Sequence, residues 1–220
     1  MTSSVVPMPS SQGEELSATR TYSVAAAMPS ILGMYAFAAA TFIVAARMAH
    51  WYGNAQSALV LFPLVLILGG LAQFYASAWA FRTNDAVALA MHGIWGSFWT
   101  AYGILEILYA SGRVVRPQGA FPELGFWFIA IAAITWAITA ASRANKGVTT
   151  VLALLAIGST LEAIAELAGM DWLRMLAGYF LIVSALVAWY VASELMMHFG
   201  KIHKAQPASP VAPSESKRVA

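Results

Sequence analysis

Six long apolar runs, parted by short turn sequences, constrain this chain more than any other feature. They lie at about Ile31–Ala49, Ser57–Phe81, Ala86–Ser111, Leu124–Ala141, Val148–Ala168 and Trp172–Phe199. Each is close to the roughly 20 residues that carry an α-helix across the hydrocarbon core of a bilayer. The breaks are Tyr52-Gly53-Asn54, Arg82-Thr83-Asn84-Asp85, residues 112–123, Asn145-Lys146-Gly147 and Gly169-Met170-Asp171, all rich in turn-forming residues. A backbone in lipid must satisfy its own hydrogen bonds, which leaves helices or closed barrels. Barrel strands would be about half as long and would alternate in polarity. The predicted fold class is therefore all-α integral membrane, a six-transmembrane-helix bundle over residues 23–200. Polar, Ser- and Pro-bearing tails at 1–22 and 201–220 read as disordered.

Charge supports this reading. Only 10% of the 220 residues are charged and 60% are hydrophobic, where a soluble domain carries about 25% charge. The cations do not gather into a patch, so nucleic acid is not an expected partner. They sit between the apolar runs, as topology-setting charges do. With six spans, one side holds Arg20, Arg82, Arg143, Lys146, Lys201, Lys204, Lys217 and Arg218, and the other holds Arg47, Arg113, Arg116 and Arg174. The bias predicts cytoplasmic termini in a multi-pass protein of the plasma membrane, with lipid as its surroundings. The first residues lack a secretory signal: Glu14 and Glu15 precede the first basic residue, Arg20, and no apolar run follows Met1. Aromatics at span ends, Trp51, Tyr52, Trp79, Phe81, Tyr109, Phe121, Trp127 and Trp172, read as an interfacial belt.

Chemistry motifs are missing. The chain has no cysteine, which excludes disulfides and thiolate chemistry. It shows no phosphate loop, nucleophile elbow or zinc motif, and His50, His92, His198 and His203 have no metal-gathering spacing. No cofactor or metal is predicted, and the reading favours transport over catalysis. Polar groups inside the spans are informative, because each is costly in lipid unless it faces protein or water. Glu162 and Glu166 share one face of the fifth span, one turn apart. The two read as a proton-accepting or pathway-lining pair, or else Glu162 as a hydrogen-bonder to a neighbouring helix and Glu166 as interfacial. His92 in the third span reads as a proton carrier or an interhelical hydrogen-bonder. Glu194, near the end of the sixth span, reads as a proton-linked vestibule group or a structural one, and Glu106 as interfacial. Gly69-Gly70, Gly93 and Gly96 suit close helix approach, and Ala133, Ala137 and Ala141 form a small-residue row that fits an intra-bundle or a subunit contact.

Several motifs, taken together, resemble the acetate uptake transporter family, also called the succinate–acetate permease family, over about residues 28–200. Its first helix opens with Asn-Pro-Ala-Pro-Leu-Gly-Leu and then a Gly-Phe pair. Here the stretch is Met28-Pro29-Ser30-Ile31-Leu32-Gly33-Met34, followed by Tyr35-Ala36-Phe37. Gly69-Gly70-Leu71-Ala72-Gln73-Phe74 resembles the second-helix signature, and Trp95-Gly96-Ser97-Phe98-Trp99 the Tyr-Gly-Ser/Ala-Phe-Trp motif. Ala153-Leu154-Leu155-Ala156-Ile157-Gly158 is similar to the fifth-helix run, and Glu194 with Phe199-Gly200-Lys201 to the end of the sixth. The resemblance implies a six-helix protomer, assembled as a homo-hexamer, with a path for acetate-like carboxylates in each protomer. It places Phe37 and Trp95 at an aromatic constriction, an aliphatic partner near Val148, and Met28 where the family has an Asn near the pore mouth. Phe98 falls in the same lining. An apolar neck would contact the methyl end of acetate, with Gln73, Ser97 and His92 as donors to its carboxylate. Desolvating an anion is expensive, so co-movement of a proton would ease passage. A non-transporting sensory or assembly protein, or an intramembrane enzyme using Glu162 and His92, remains the alternative.

Overall fold

The computed structural model describes residues 27–54 and 56–205, with side chains described for 29–54 and 56–199. The tail read from the sequence at 1–22 lies outside the described residues, as does the Met28 side chain; of the tail read at 201–220, residues 201–205 continue the last helix and the rest lies outside the described residues. Among the described residues there is no strand. Six helical rods follow one another: α1 Ala27–Met48, α2 Ser57–Arg82, α3 Ala86–Ala110, α4 Pro122–Ala141, α5 Lys146–Ala168 and α6 Asp171–Ala205. Five of them, all but α3, are long and apolar enough to cross a membrane. α3 has 25 residues, but His92, Ser97, Thr100, Tyr102 and Glu106 interrupt its apolar run.

Local chemistry sets the ends. Asp85 caps α3 by accepting from the Ala88 N–H, and Asn145 caps α5 by accepting from Val148. Pro122 opens α4 at a position where its missing N–H costs nothing. α2 is not uniform: Pro63 removes a donor from its first part, and Leu66–Ala72 winds as a π-helix. The Gly69-Gly70 pair lies in that segment. A Cβ on Gly69 would fall 2.6 Å from Trp99 Cγ of α3, so the glycine forms the notch in which the Trp99 ring sits.

The rods pack as antiparallel neighbours, α2 on α3, α4 on α5, α5 on α6, and α6 back on α1. Lipid gives helices no hydrophobic incentive to associate, so close approach of small residues does the work. Ala38, Ala40 and Ala45 of α1 and Ala177, Ala185, Ala188 and Ala192 of α6 are fully buried, and a Cβ on Gly178 would come 2.9 Å from the Ala45 carbonyl oxygen. The outside is greasy: Val60, Ile67 and Leu71 of α2, Phe126 and Trp136 of α4, and Leu186 and Tyr190 of α6 are exposed. Ala133, Ala137 and Ala141 also face outward, so that row is not an intra-bundle contact. Trp51, Phe81 and Trp172 are exposed at helix ends as a belt requires, but Trp127 turns inward and meets Phe98 at 5.4 Å. α3 meets α1 and α4 chiefly through aromatic side chains, and the space they hold open becomes the site.

Candidate functional site

Cavities open at both ends of the bundle. One, of about 530 Å³, lies where α1, α3 and α5 end and α4 and α6 begin. Its lining includes Arg47, His50, Tyr102, Arg116, Glu162, Glu166, Asp171 and Arg174. The other, of about 410 Å³, lies at the opposite ends of the same helices, against Ser30, Met34, Asp85, Met91, Asn145, Val148 and Leu195. A third cavity of about 20 Å³ sits deeper, beneath the first, and shares Val44, Met48, Tyr102 and Glu162 with it. We call the two large cavities the charged and the apolar vestibule.

Between the apolar vestibule and the deep cavity stand Phe37 and Trp95. On α1 Met34 lines the vestibule, Thr41 lines the deep cavity, and Phe37 lies between them. On α3 Met91 lines the vestibule, and Trp95 is one turn further in. Both rings are buried and meet edge to face with centroids 6.3 Å apart. Trp95 is pinned at its far side: its Nε1 donates to Thr135 Oγ1 of α4 at 3.2 Å, and Thr135 in turn donates to the Ile131 carbonyl. Phe98 continues the aromatic wall, with its ring centroid 5.1 Å from Trp95 and stacked on Tyr102 at 5.4 Å.

The charged vestibule carries two ion-pair clusters. Glu106, read from the sequence as interfacial, is instead buried, because two arginines reach it: Arg47 Nη1 at 3.1 Å and Arg116, which donates through Nη2. Burial alone would lower the Arg116 pKa, but the Glu106 carboxylate against it holds it above the ordinary guanidinium value. In the second cluster Arg174 of α6 reaches both carboxylates of α5, with Nη2 3.0 Å from Glu166 Oε1 and Nε 3.5 Å from Glu162 Oε1. Glu166 is thus buried rather than interfacial, and the pair one turn apart is held by one cation. At the rim His50 faces Asp171 at 3.4 Å. Beside it, burial raises the Tyr52 phenol above its ordinary value, and Arg47 offsets part of that rise.

The residues singled out in the sequence divide into those the fold gathers and those it scatters. Phe37, Trp95 and Phe98 come together at the neck. Val148 is half-buried and lines the apolar vestibule; the buried aliphatics of α5 one turn further in are Val151 and Leu152. Gln73 and His92 are fully buried but pair with each other, His92 Nδ1 lying 3.3 Å from Gln73 Oε1 while Gln73 Nε2 donates to the Gly69 carbonyl. The His92 ring rests on Gly33, where a Cβ would come within 2.3 Å of it. Ser97 does not join the neck: it is exposed on the outer face of α3, and its hydroxyl donates back to the Gly93 carbonyl. Glu194 is exposed on α6. Glu162 and His92 do not converge, since Glu162 lines the charged vestibule and the deep cavity whereas His92 is packed between Gly33 and Gln73. Among the described residues no group of His, Asp and Glu is placed to hold a metal. Thr41, Trp99, Tyr102 and the arginines of the charged vestibule were not singled out for the pathway. The only sequence signal for the arginines was that they are the cations of one side.

Three comparisons bear on this arrangement. No curated protein matches the sequence. A solved structure described as that of the bacterial acetate channel SatP superposes with a TM-score of 0.72 at 18% sequence identity, covering 81% of this chain and 97% of that one. That likeness establishes the fold. Residues 12–206 match the profile of the GPR1/FUN34/yaaH family. Since the match spans nearly the whole of the 220 residues, the chain belongs to that family, the acetate uptake transporters its helix motifs resemble.

Proposed function

We propose that this protein is a channel for acetate and similar short carboxylates, with a pathway through each protomer. It crosses the plasma membrane six times, with both termini in the cytoplasm. The observation that carries this reading is the line of cavities: vestibules at opposite ends of the same helices, aligned on a buried aromatic neck and a small cavity behind it. α3 serves as the sixth span by turning His92 and Glu106 inward. A ring-lined neck contacts a methyl group and excludes bulk water, and arginines in the charged vestibule raise the local concentration of anions. The structural neighbour is described as an acetate channel, which supports the substrate class. The exposed apolar faces of α2 and α4 suit contact with lipid and with further copies of the chain, as a homo-hexamer.

The test is uptake of labelled acetate by reconstituted vesicles at pH 8, where little neutral acid exists to leak through lipid. Uptake well above that of protein-free vesicles is expected. Uptake equal to theirs would overturn the reading.

A further inference from the structure

The loop between α3 and α4 is exposed throughout residues 111–120, yet it supplies Arg116, Pro117 and Gly119, with Phe121 beyond them, to the wall of the charged vestibule. Both of its ends are fastened by backbone. Where α3 stops, the Arg113 and Val114 N–H groups donate to the Leu108 carbonyl, and the Gly112 N–H donates to that of Tyr109. Gly112 takes φ +71° there, a common glycine close to a helix. Where α4 starts, the Phe121 N–H donates to the Glu166 carbonyl at 2.7 Å. The backbone beside it packs on the end of α5: a Cβ on Gly169 would come 2.8 Å from the Ala120 nitrogen. Between these anchors, residues 115–120 make no backbone hydrogen bond to another described residue, so water must satisfy them. Among the described residues, one side chain holds the segment down by hydrogen bond or ion pair. It is Arg116, which donates to Glu106 and lies over the Tyr109 ring, 4.7 Å from its centroid.

The chemistry of this tie lets it release. A buried carboxylate stripped of its cation is strongly destabilising. Glu106, 1% exposed, has two cations, so Arg47 Nη1 at 3.1 Å stays with it when Arg116 leaves. The Arg116 side chain is 45% exposed and exchanges the carboxylate for water. Pro117 fixes its own φ and keeps Arg116 extended, so the arginine and the chain around it move together. Gly119 supplies a pivot: its φ is +82°, and a Cβ there would meet nothing within 4 Å. We propose that residues 115–120 are a strap that gates the charged vestibule, latched by Arg116 on Glu106 and swung aside on Gly119 when that pair opens. The inference rests on the transport reading above and gives the pathway a gate at one end. In that reading the aromatic neck selects what passes, and the strap sets how often the vestibule is open.

The experiment is thiol labelling of the detergent-solubilised full-length protein. The chain has no cysteine, so Met48→Cys places a single thiol in the wall of the charged vestibule. The reagent is a short, neutral polyethylene-glycol maleimide, whose size requires an open mouth and whose rate carries no charge effect of its own. Adding Arg116→Gln to this parent speeds labelling roughly three- to tenfold, the equivalent of one lost charged hydrogen bond. Arg116→Lys, which keeps the charge, falls between the two. Salt raised to about 1 M screens the part-exposed pair, so it speeds the parent and leaves the Arg116→Gln protein unchanged. Val148→Cys, in the apolar vestibule, reports general loosening, and Arg116→Gln leaves its rate as it was. Equal labelling of Met48→Cys with and without Arg116→Gln overturns the inference. So does an equal acceleration at Val148→Cys, which would make Arg116 a structural tie alone. Should Arg116→Gln fail to elute as a monodisperse protein, a salt-insensitive rate in the parent overturns it equally. Latch-dependent labelling in a protein whose vesicles take up no acetate would support the strap and refute the channel. Acetate uptake with latch-independent labelling would do the reverse.

Discussion

Trp95 is held on both flanks, by Phe37 and by Thr135 across the bundle, and in the proposed channel it is the residue that would set selectivity. A Trp fills the passage more fully than a Tyr and offers only an N–H. Trp95→Tyr is therefore expected to raise succinate uptake relative to acetate several-fold in reconstituted vesicles, and an unchanged ratio would show that the ring does not set the limit. A second prediction concerns the floor under His92. Gly33→Ala puts a methyl group into the imidazole. It should destabilise the protein by about 1–3 kcal/mol, as overpacking does, read as a lowered midpoint of thermal unfolding in detergent. That Phe37 and Trp95 meet was legible in the sequence because both sit in motifs with fixed spacing. Thr41 was not: one hydroxyl in the run Ala38-Ala39-Ala40-Thr41-Phe42 carries no signal until the fold places the residue in the lining of the deep cavity. Ser97 failed for the converse reason, since its motif placed it correctly along α3 but said nothing of which face it occupies.

The ion pairs of the charged vestibule join elements rather than single sites. Glu106 of α3 ties the end of α1 through Arg47 and the loop before α4 through Arg116. Glu106→Gln should cost about 1.5–3 kcal/mol, the range for hydrogen bonds to charged groups. The larger loss seen on breaking fully buried pairs does not apply, because both arginines reach water, at 29% and 45% exposure of their side chains. The same thermal measurement checks it, and a stability equal to wild type would contradict the tie. These pairs were invisible in the sequence because their partners lie 59 and 10 residues apart, the first across all of α2 and most of α3 and the second across a loop. Arg174 with Glu162 and Glu166 was half legible: spacing put the two carboxylates on one face, but only the α5–α6 hairpin supplies the cation. Val148 shows the same limit, since a shift of one helical turn moves the aliphatic contact from the apolar vestibule to Val151 or Leu152.

For the whole molecule, the six apolar runs sufficed to place six rods, because length and hydropathy follow from the thickness of a bilayer. They could not show how the polar side chains of α3, the one rod not apolar enough to cross a membrane by itself, are shielded, which depends on its neighbours. The absence of cysteine makes the topology testable. Asn84→Cys in the loop before α3 and Gln118→Cys in the loop before α4 should label with an impermeant thiol reagent from opposite sides of intact cells, Gln118→Cys from outside. Labelling of both from one side would contradict six spans. The path itself is open to a more direct test. Ser159 lines the deep cavity and is fully buried, and Ser159→Cys is nearly isosteric. If acetate passes through this cavity, reaction of that thiol with methyl methanethiosulfonate will bring uptake down to the level of protein-free vesicles. Complete modification by mass spectrometry with undiminished uptake would contradict the account.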